Sequence, residues 1–221
     1  MTVWTALGVA LAAYLIGSLP VGVIVVRVTT GKEVLNHHSG RTGGTNVMRT
    51  AGIWAGLVTA IGDVLKGYLA VALAQRIAPS VDGLHALAGA LAVLGHNHSI
   101  FLPERRDGRL RLRGGAGGAS SLGAAIAMSP VVGFLIPLVP ILLFGIGYAS
   151  VTTLTVGILA AVIFAYQALR GIGPWAHVAY AVVVEGLMAL ALRPNLIRLA
   201  RGEERLVGWR ARRRGDPWGG R

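Results

Sequence analysis

Long runs of apolar residues recur along most of the chain, and this repetition limits its fold more than any other feature. A helix needs about 20 consecutive apolar residues to cross a bilayer. Apolar side chains account for 54% of the 221 residues and charged ones for only 14%, whereas a soluble domain carries about 25% charged residues. The sequence therefore predicts an integral membrane protein with an all-α fold, a bundle of helices that crosses the membrane several times.

Seven crossings are predicted, because charged residues, proline or glycine separate seven apolar runs. The weakest boundary is Ser129-Pro130, since residues 114–147 also read as one long kinked helix. Five or six crossings are therefore the alternatives. The first run has no basic segment before it and no small-residue cleavage site, so we predict a retained anchor. The seven predicted crossings are residues 2–26, 52–75, 84–102, 114–129, 131–147, 151–168 and 175–192.

The distribution of basic residues predicts the orientation of this bundle. With seven crossings, 18 of the 21 Lys and Arg residues fall on one side, in residues 27–51, 103–113 and 193–221. Two fall on the other side, and Lys66 lies within a span. Because basic loops remain in the cytoplasm, we predict an outside N-terminus and a cytoplasmic C-terminus.

This topology divides the chain into two parts. Residues 1–192 form the transmembrane part, with motif-bearing cytoplasmic loops at 27–51 and 95–123. Residues 193–221 form a basic cytoplasmic segment, and its end is predicted to be disordered.

The net charge of +12 is mainly a consequence of this topology. We predict no nucleic-acid partner, because no basic domain with interleaved aromatic residues accompanies the charge. Basic loops beside a membrane attract anionic lipid head groups instead. The chain has no cysteine, which excludes disulfides, thiolate catalysis and cysteine-ligated zinc. His96 and His98 are two apart and do not share a helix face, so no metal site is predicted.

The stretch SGRTGGTNVMRTAG, residues 39–52, lies between the first two apolar runs. Glycines such as Gly40 let successive backbone amides converge on an anion. Ser39, Thr45 and Asn46 add neutral donors, and Arg49 can grip a phosphate at two points. We interpret the stretch as a phosphate-binding loop; a flexible loop rich in turn residues is the alternative.

Asp63 and Lys66 interrupt the second apolar run. They are three residues apart, so they share a helix face. Because each charge is costly in hydrocarbon, we predict an ion pair that faces the bundle interior. The pair belongs either to the functional site or only to the structure.

A second polar cluster runs from GHNHS, residues 95–99, to RGGAGGASSLG, residues 113–123. Arg113 precedes four glycines at a predicted helix start, where amide groups and the helix dipole favour a phosphate. Close helix packing through small residues is the alternative. Beyond the last run, Arg193, Asn195 and Arg198 are predicted to reach the same surface; a basic helix resting on anionic lipid is the alternative there.

Taken together, these motifs resemble the PlsY family, the bacterial acyl-phosphate-dependent glycerol-3-phosphate acyltransferases. The resemblance extends through nearly the whole chain. The motifs that carry it are GSLPVG (17–22), SGRTGGTNVMRTAG (39–52), GDVLKG (62–67), GHNHSIF (95–101), RGGAGGASSLG (113–123) and RPNLIRLARGEE (193–204).

The resemblance implies a seven-helix enzyme of the bacterial inner membrane whose active site faces the cytoplasm. It implies transfer of a fatty acyl group from acyl phosphate to the 1-hydroxyl of sn-glycerol 3-phosphate, which gives lysophosphatidic acid. The implied partners are glycerol 3-phosphate, acyl phosphate and membrane lipids, and no cofactor is implied. Acyl phosphate has a good leaving group, so no covalent enzyme intermediate is required; two phosphates must be held close and the hydroxyl aligned with the carbonyl.

Site residues follow by carrying the family motifs onto this chain. The predicted phosphate-binding residues are Ser39, Gly40, Thr45, Arg49, Lys66, Arg113, Gly114 and Gly115. The predicted catalytic residues are Asn46, His96 and Asn195. The predicted supporting residues are Arg41, Asp63, Arg193 and Glu204.

The chain departs from the family pattern at four positions. Arg41 stands where the family has Asn, Arg113 and Ala116 stand where it has lysines, and Leu192 stands where it has His. We expect Arg113 to replace one lysine and Arg41 to restore the charge lost at Ala116. Two alternative functions follow: a paralogue with weakened activity or an altered substrate, and a transporter for a small phosphorylated solute, which would show paired repeats and broken helices in both halves.

Overall fold

The computed structural model describes residues 1–106, 108–208 and 211. Within this part of the chain it contains nine α-helices, one β-hairpin and two short 3-10 helices. The helices are α1 (Val3–Ser18), α2 (Val21–Thr30), α3 (Gly44–Ala51), α4 (Ile53–Ile77), α5 (Asp82–Asn97), α6 (Gly118–Met128), α7 (Leu138–Gly145), α8 (Ala149–Leu169) and α9 (Trp175–Ala200). The strands are β1 (Pro103–Arg106) and β2 (Arg109–Leu112), and the 3-10 helices are Val34–Asn36 and Pro130–Leu135.

Four helical stretches of the described chain are long and apolar enough to cross a membrane. These stretches are Val3–Thr30, Ile53–Ile77, Ala149–Leu169 and Trp175–Ala200. The predicted total of seven crossings is therefore not confirmed. α5 has 16 residues and α6 only 11. α6 is short because the glycine-rich residues before Gly118 form a loop instead of extending the helix.

The first stretch is broken between α1 and α2. Pro20 lacks a backbone N–H and cannot continue the ladder of helical hydrogen bonds. At the break, Leu19 O accepts a hydrogen bond of 3.0 Å from Val21 N and another of 2.9 Å from Lys66 Nζ. The break thus supplies a polar partner for a cation on α4.

The predicted interruption at Ser129-Pro130 is confirmed. α6 ends at Met128, a 3-10 helix follows over Pro130–Leu135, and α7 begins at Leu138. Proline in this region prevents a single straight helix.

The described part of the chain is helical, as predicted, with one added element: β1 and β2 form an antiparallel hairpin that was not predicted. Alternating side chains in this segment are typical of a two-sided strand, and Gly108 supplies the turn with φ of 71°.

α9 continues through the boundary predicted at residues 192 and 193, with Pro194 inside the helix. Beyond it the chain folds back: Val207 is fully buried and its N–H donates to Gly147 O at 2.8 Å. The predicted disorder of the chain end concerns residues outside the described part of the chain.

Glycine residues allow the central helices to approach closely. A Cβ at Gly67 on α4 would overlap Ser120 O on α6, and one at Gly123 on α6 would overlap Val64 O on α4. α1 and α5 meet in the same way, since a Cβ at Gly17 would overlap the backbone of Ala92. Small residues at such crossings are typical of membrane helix pairs, and here they fix α1, α4, α5 and α6 around the polar groups described below.

Candidate active site

Asn46 holds the first polar loop, residues 34–43, in a fixed conformation. Its side-chain amide is buried and its Nδ2 donates to Val34 O and His37 O, each at 3.2 Å, and to Arg41 O at 2.8 Å. Its Oδ1 accepts from Ser39 N at 3.2 Å. Since both ends of this amide are bonded to the loop backbone, Asn46 shapes the loop from beneath, which differs from its predicted catalytic role of orienting the reacting groups.

Arg113 joins this loop to the hairpin. Its Nη2 donates to Leu35 O at 2.7 Å and to Gly40 O at 3.0 Å, and its Nη1 pairs with Glu104 Oε1 at 3.0 Å. Gly40 has φ of 64°, and a Cβ there would lie 2.8 Å from Arg113 Nη2. Glycine at this position is therefore required by the backbone conformation and by the close guanidinium.

The glycine loop, residues 114–117, packs directly on the end of α5. Gly115 N donates to His96 O at 2.8 Å, and Thr42 N donates to Gly114 O at 3.3 Å. A Cβ at Gly114 would overlap His96 O, and one at Gly115 would overlap the His96 ring. The first polar loop, the glycine loop and α5 thus form one connected surface.

Asp63, Lys66 and His96 form a buried polar network below the glycine loop. Lys66 Nζ lies 3.0 Å from Asp63 Oδ1, which confirms the predicted ion pair. Asp63 Oδ1 also lies 3.5 Å from His96 Nδ1, a separation that is long for a hydrogen bond. All three side chains are at most 5% exposed. They lie beneath the loops and do not line the open surface as a direct phosphate contact would require.

Removing one partner of this network should destabilise the protein strongly. Asp63→Asn removes the negative charge that balances the buried Lys66 cation and leaves it only neutral acceptors such as Leu19 O, and breaking a buried ion pair costs about 3–5 kcal/mol. We expect a lower midpoint of thermal unfolding in detergent. A double variant, Asp63→Leu with Lys66→Met, should recover much of that loss, because no unpaired charge remains. Equal unfolding midpoints for Asp63→Asn and the unmodified chain would contradict this role.

A second buried acid, Glu204, lies just beyond α9 and contacts its C-terminal part. Glu204 Oε1 accepts from Asn195 Nδ2 at 2.7 Å, and its Oε2 lies 3.4 Å from Arg198 Nε. The Glu204 side chain is 3% exposed. Arg193 is exposed. The contact between Glu204 and the Asn195 amide is compatible with the supporting role predicted for Glu204.

Arginines from three segments converge beside the first polar loop. Arg41 donates from Nη2 to Ala191 O on α9, and burial followed by the neighbouring Arg198 lowers its pKa. Arg49 on α3 donates to Arg205 O and Leu206 O, each at 3.4 Å. Partial desolvation of His38, followed by the charge of Arg49, lowers the pKa of that histidine.

This convergence leaves an excess of positive charge. In the described part of the chain, Glu104 pairs with Arg113 and Glu204 with Arg198, and the cluster contains three further arginines. A cluster of cations held together by backbone contacts attracts anions with several negative charges. The five arginines are Arg41, Arg49, Arg113, Arg198 and Arg205.

The structure brings most of the predicted residues to this surface. Ser39 and Thr45 are partly exposed on it, whereas Lys66, Asp63 and His96 lie below it. Glu104 and Thr42 were not predicted as site residues. Glu104 lies on β1 and Arg113 directly follows β2, so predicting the hairpin from the sequence would have placed these two residues side by side. At the positions where the resemblance implied His and Lys, Leu192 is 4% exposed and Ala116 is partly exposed.

Comparisons with known proteins agree on one family. The family model described as glycerol-3-phosphate acyltransferase matches residues 7–202. A protein of Thermus thermophilus named glycerol-3-phosphate acyltransferase is 39% identical over 215 residues, which cover 96% of this chain and 98% of that protein. A protein of Moorella thermoacetica named glycerol-3-phosphate acyltransferase 2 is 37% identical over 202 residues, 90% of this chain and 96% of that protein.

Two solved structures share the fold. Both are crystal structures of PlsY, described as an integral membrane glycerol 3-phosphate acyltransferase, at 30% sequence identity. The glycerol 3-phosphate form superposes with a TM-score of 0.78 and the lysophosphatidic acid form with 0.73. In each case the similarity covers 92% of this chain and 96% of the solved chain.

Proposed function

Because this chain belongs to the glycerol-3-phosphate acyltransferase family, we propose that it transfers a fatty acyl group from acyl phosphate to the sn-1 hydroxyl of glycerol 3-phosphate. The product is lysophosphatidic acid, and the reaction takes place at the cytoplasmic surface of a bacterial inner membrane. The names of the relatives support glycerol 3-phosphate as the acceptor. The observation that carries the proposal is the arginine cluster around the first polar loop, because two phosphorylated substrates must meet at one place.

The reaction depends on the positioning of the two substrates more than on a reactive side chain. The acceptor hydroxyl attacks the carbonyl carbon of acyl phosphate, a new ester C–O bond forms, and the bond from the carbonyl carbon to the phosphate oxygen breaks. Inorganic phosphate leaves and takes the hydroxyl proton. The proton goes to a substrate phosphate oxygen in this scheme, because His96 is 4% exposed beneath the glycine loop and does not face the surface as a general base would.

Each segment has a place in this scheme. Arg49 and Ser39 bind one phosphate from the first polar loop and α3, and the second phosphate lies against the glycine loop with Arg113 at its edge. The Gly115 amide is not a donor in this scheme, because its N–H bonds to His96 O. Asn195, fixed by Glu204, orients the hydroxyl or the carbonyl. Positioning roles fall to Asn46, which shapes the loop, and to Asp63, Lys66 and His96, which support the glycine loop.

The donor is the part of this proposal that an assay can decide directly. Purified protein in detergent is incubated with radiolabelled glycerol 3-phosphate and either long-chain acyl phosphate or the matching acyl-CoA, and lysophosphatidate is separated and counted. We expect product with acyl phosphate and background with acyl-CoA, since the scheme requires a phosphate leaving group at the arginine cluster. Product from acyl-CoA at an equal rate would overturn the donor assignment while leaving the acceptor intact.

The same assay separates the two alternatives. A paralogue with altered function is motivated by Leu192 and Ala116, which supply neither a histidine nor a cation to the site. It predicts binding of glycerol 3-phosphate without transfer from acyl phosphate. A transporter predicts uptake of glycerol 3-phosphate into proteoliposomes with no lysophosphatidate formed.

A further inference from the structure

The hairpin formed by β1 and β2 carries a surface that the proposed reaction does not use. Its register pairs Arg105 with Leu110 and Pro103 with Leu112, and residues directly opposite in an antiparallel pair share a face. Leu110 is 67% exposed and Arg105 is also exposed. This face, termed the outer face, is therefore both apolar and basic.

The opposite face of the hairpin is the one joined to the site. The register pairs Glu104 with Arg111, and Glu104 Oε1 lies 3.0 Å from Arg113 Nη1. Arg113 in turn donates to Leu35 O and Gly40 O of the first polar loop. Because this side is attached to the protein, the outer face points away from the site. Arg109 and Arg111 share this second face with Glu104, and both are exposed.

Two further exposed apolar side chains lie in the chain between α5 and the hairpin. Ile100 is 50% exposed and Phe101 is 51% exposed; both lie between the last residue of α5, Asn97, and the first strand. Ile100, Phe101 and Leu110 are termed the apolar strip. A strip of this kind beside clustered arginines fits the boundary between acyl chains and head groups, where apolar side chains enter and cationic ones reach back to phosphate.

We propose that the outer face of this hairpin docks on the anionic head groups of the surrounding bilayer. Leu110 and Phe101 enter the interface, and Arg105 contacts lipid phosphates beside them. Arg109 and Arg111, on the opposite face of the hairpin, reach back to the phosphates of the head-group layer. Charge complementarity selects this partner, because the cytoplasmic leaflet is negative and attracts basic segments next to a membrane helix. A nucleic acid would match the charge but would leave the apolar strip exposed. The inference does not depend on the proposed reaction.

The absence of cysteine from the chain makes a direct test possible. Leu110→Cys provides a single site for a nitroxide label, and the labelled protein is placed in nanodiscs of phosphatidylcholine alone or with phosphatidylglycerol as about a third of the lipid. Electron paramagnetic resonance then compares collisions of the label with oxygen and with a water-soluble nickel complex. We expect the label to move to an apolar environment only when phosphatidylglycerol is present, and to return to water at high salt.

Removal of the charges should abolish this response. Each basic residue near an anionic surface changes the binding equilibrium roughly five-fold, so the triple variant Arg105→Gln, Arg109→Gln and Arg111→Gln should weaken the response on the order of a hundred-fold. The matched control removes two exposed arginines predicted to lie at the other leaflet, Arg76→Gln and Arg170→Gln, and should leave the response unchanged. A label that is equally accessible to water in both lipid compositions would overturn the proposal. So would a label that moves on addition of RNA to neutral nanodiscs but not with phosphatidylglycerol.

Discussion

Replacing Arg49 with Ala should reduce acyl transfer by roughly 100- to 1000-fold, the range seen when one preorganised donor is removed from the site of developing charge. Arg49 lies on α3, three residues beyond the Asn46 amide that shapes the first polar loop, and its charge reaches His38 on that loop. A guanidinium at this place can hold a phosphate through two parallel hydrogen bonds. The measurement is the rate of lysophosphatidate formation at saturating and at limiting concentrations of each substrate.

Thermal unfolding in detergent is measured for the same variant, because Arg49 also contacts Arg205 O and Leu206 O at 3.4 Å. A loss of transfer that exceeds the loss expected from any change in the unfolding midpoint is assigned to the site. Arg201→Ala, which removes an exposed arginine just beyond α9, is the matched control and should retain full activity. Turnover by Arg49→Ala equal to that of the unmodified chain would exclude the assigned role.

Lysine at position 49 should give an intermediate result. It keeps the positive charge but presents a single ammonium group in place of the planar fork. If Arg49 binds the phosphate of glycerol 3-phosphate, the loss should appear mainly as a higher KM for that substrate. If it binds acyl phosphate, the KM for the donor should rise instead.

Sequence features that depend on neighbouring residues predicted the structure well. The spacing of Asp63 and Lys66 predicted an ion pair, and the prolines after Ser129 predicted an interrupted helix. The number of crossings was not predictable in the same way, because apolar runs around Gly114 and Pro130 have the composition of a span without its helical length. Hydropathy measures the apolar composition of a run and not its secondary structure, and at these places the chain forms loops and short helices.

The roles of individual site residues could not be predicted in this way, because they depend on contacts between segments that are distant in the sequence. The three backbone carbonyls that Asn46 binds belong to a loop whose path depends on Arg113, 67 residues further along the chain. Glu104 acquires its role only once the hairpin places it beside Arg113. The residue types indicated a phosphate site, but their division between substrate contacts and structural support is set by tertiary packing.

Arg113 shows most clearly how substrate binding and structural support are divided, because its guanidinium bonds to the first polar loop through Nη2 and to Glu104 through Nη1. Arg113→Ala would leave Leu35 O, Gly40 O and Glu104 without this donor, and truncation of one partner in such a set typically costs more than the bonds contributed. We expect a loss of transfer of roughly 100-fold or more. Arg109→Ala, at an exposed position on the same hairpin, is the matched control in detergent and should retain activity.

Glu104→Gln decides how Arg113 acts. If Arg113 mainly positions the first polar loop, then weakening its ion pair with Glu104 loosens the loop, and the KM for glycerol 3-phosphate should rise with Arg113 still present. If Arg113 mainly binds substrate phosphate, Glu104→Gln releases the guanidinium from a competing carboxylate, and the affinity for phosphate should increase. The two roles thus predict opposite signs for one substitution. Since both Nη2 bonds of Arg113 go to loop carbonyls, we expect the rise in KM, and Arg113→Lys should share it because one ammonium cannot span Glu104 and both carbonyls.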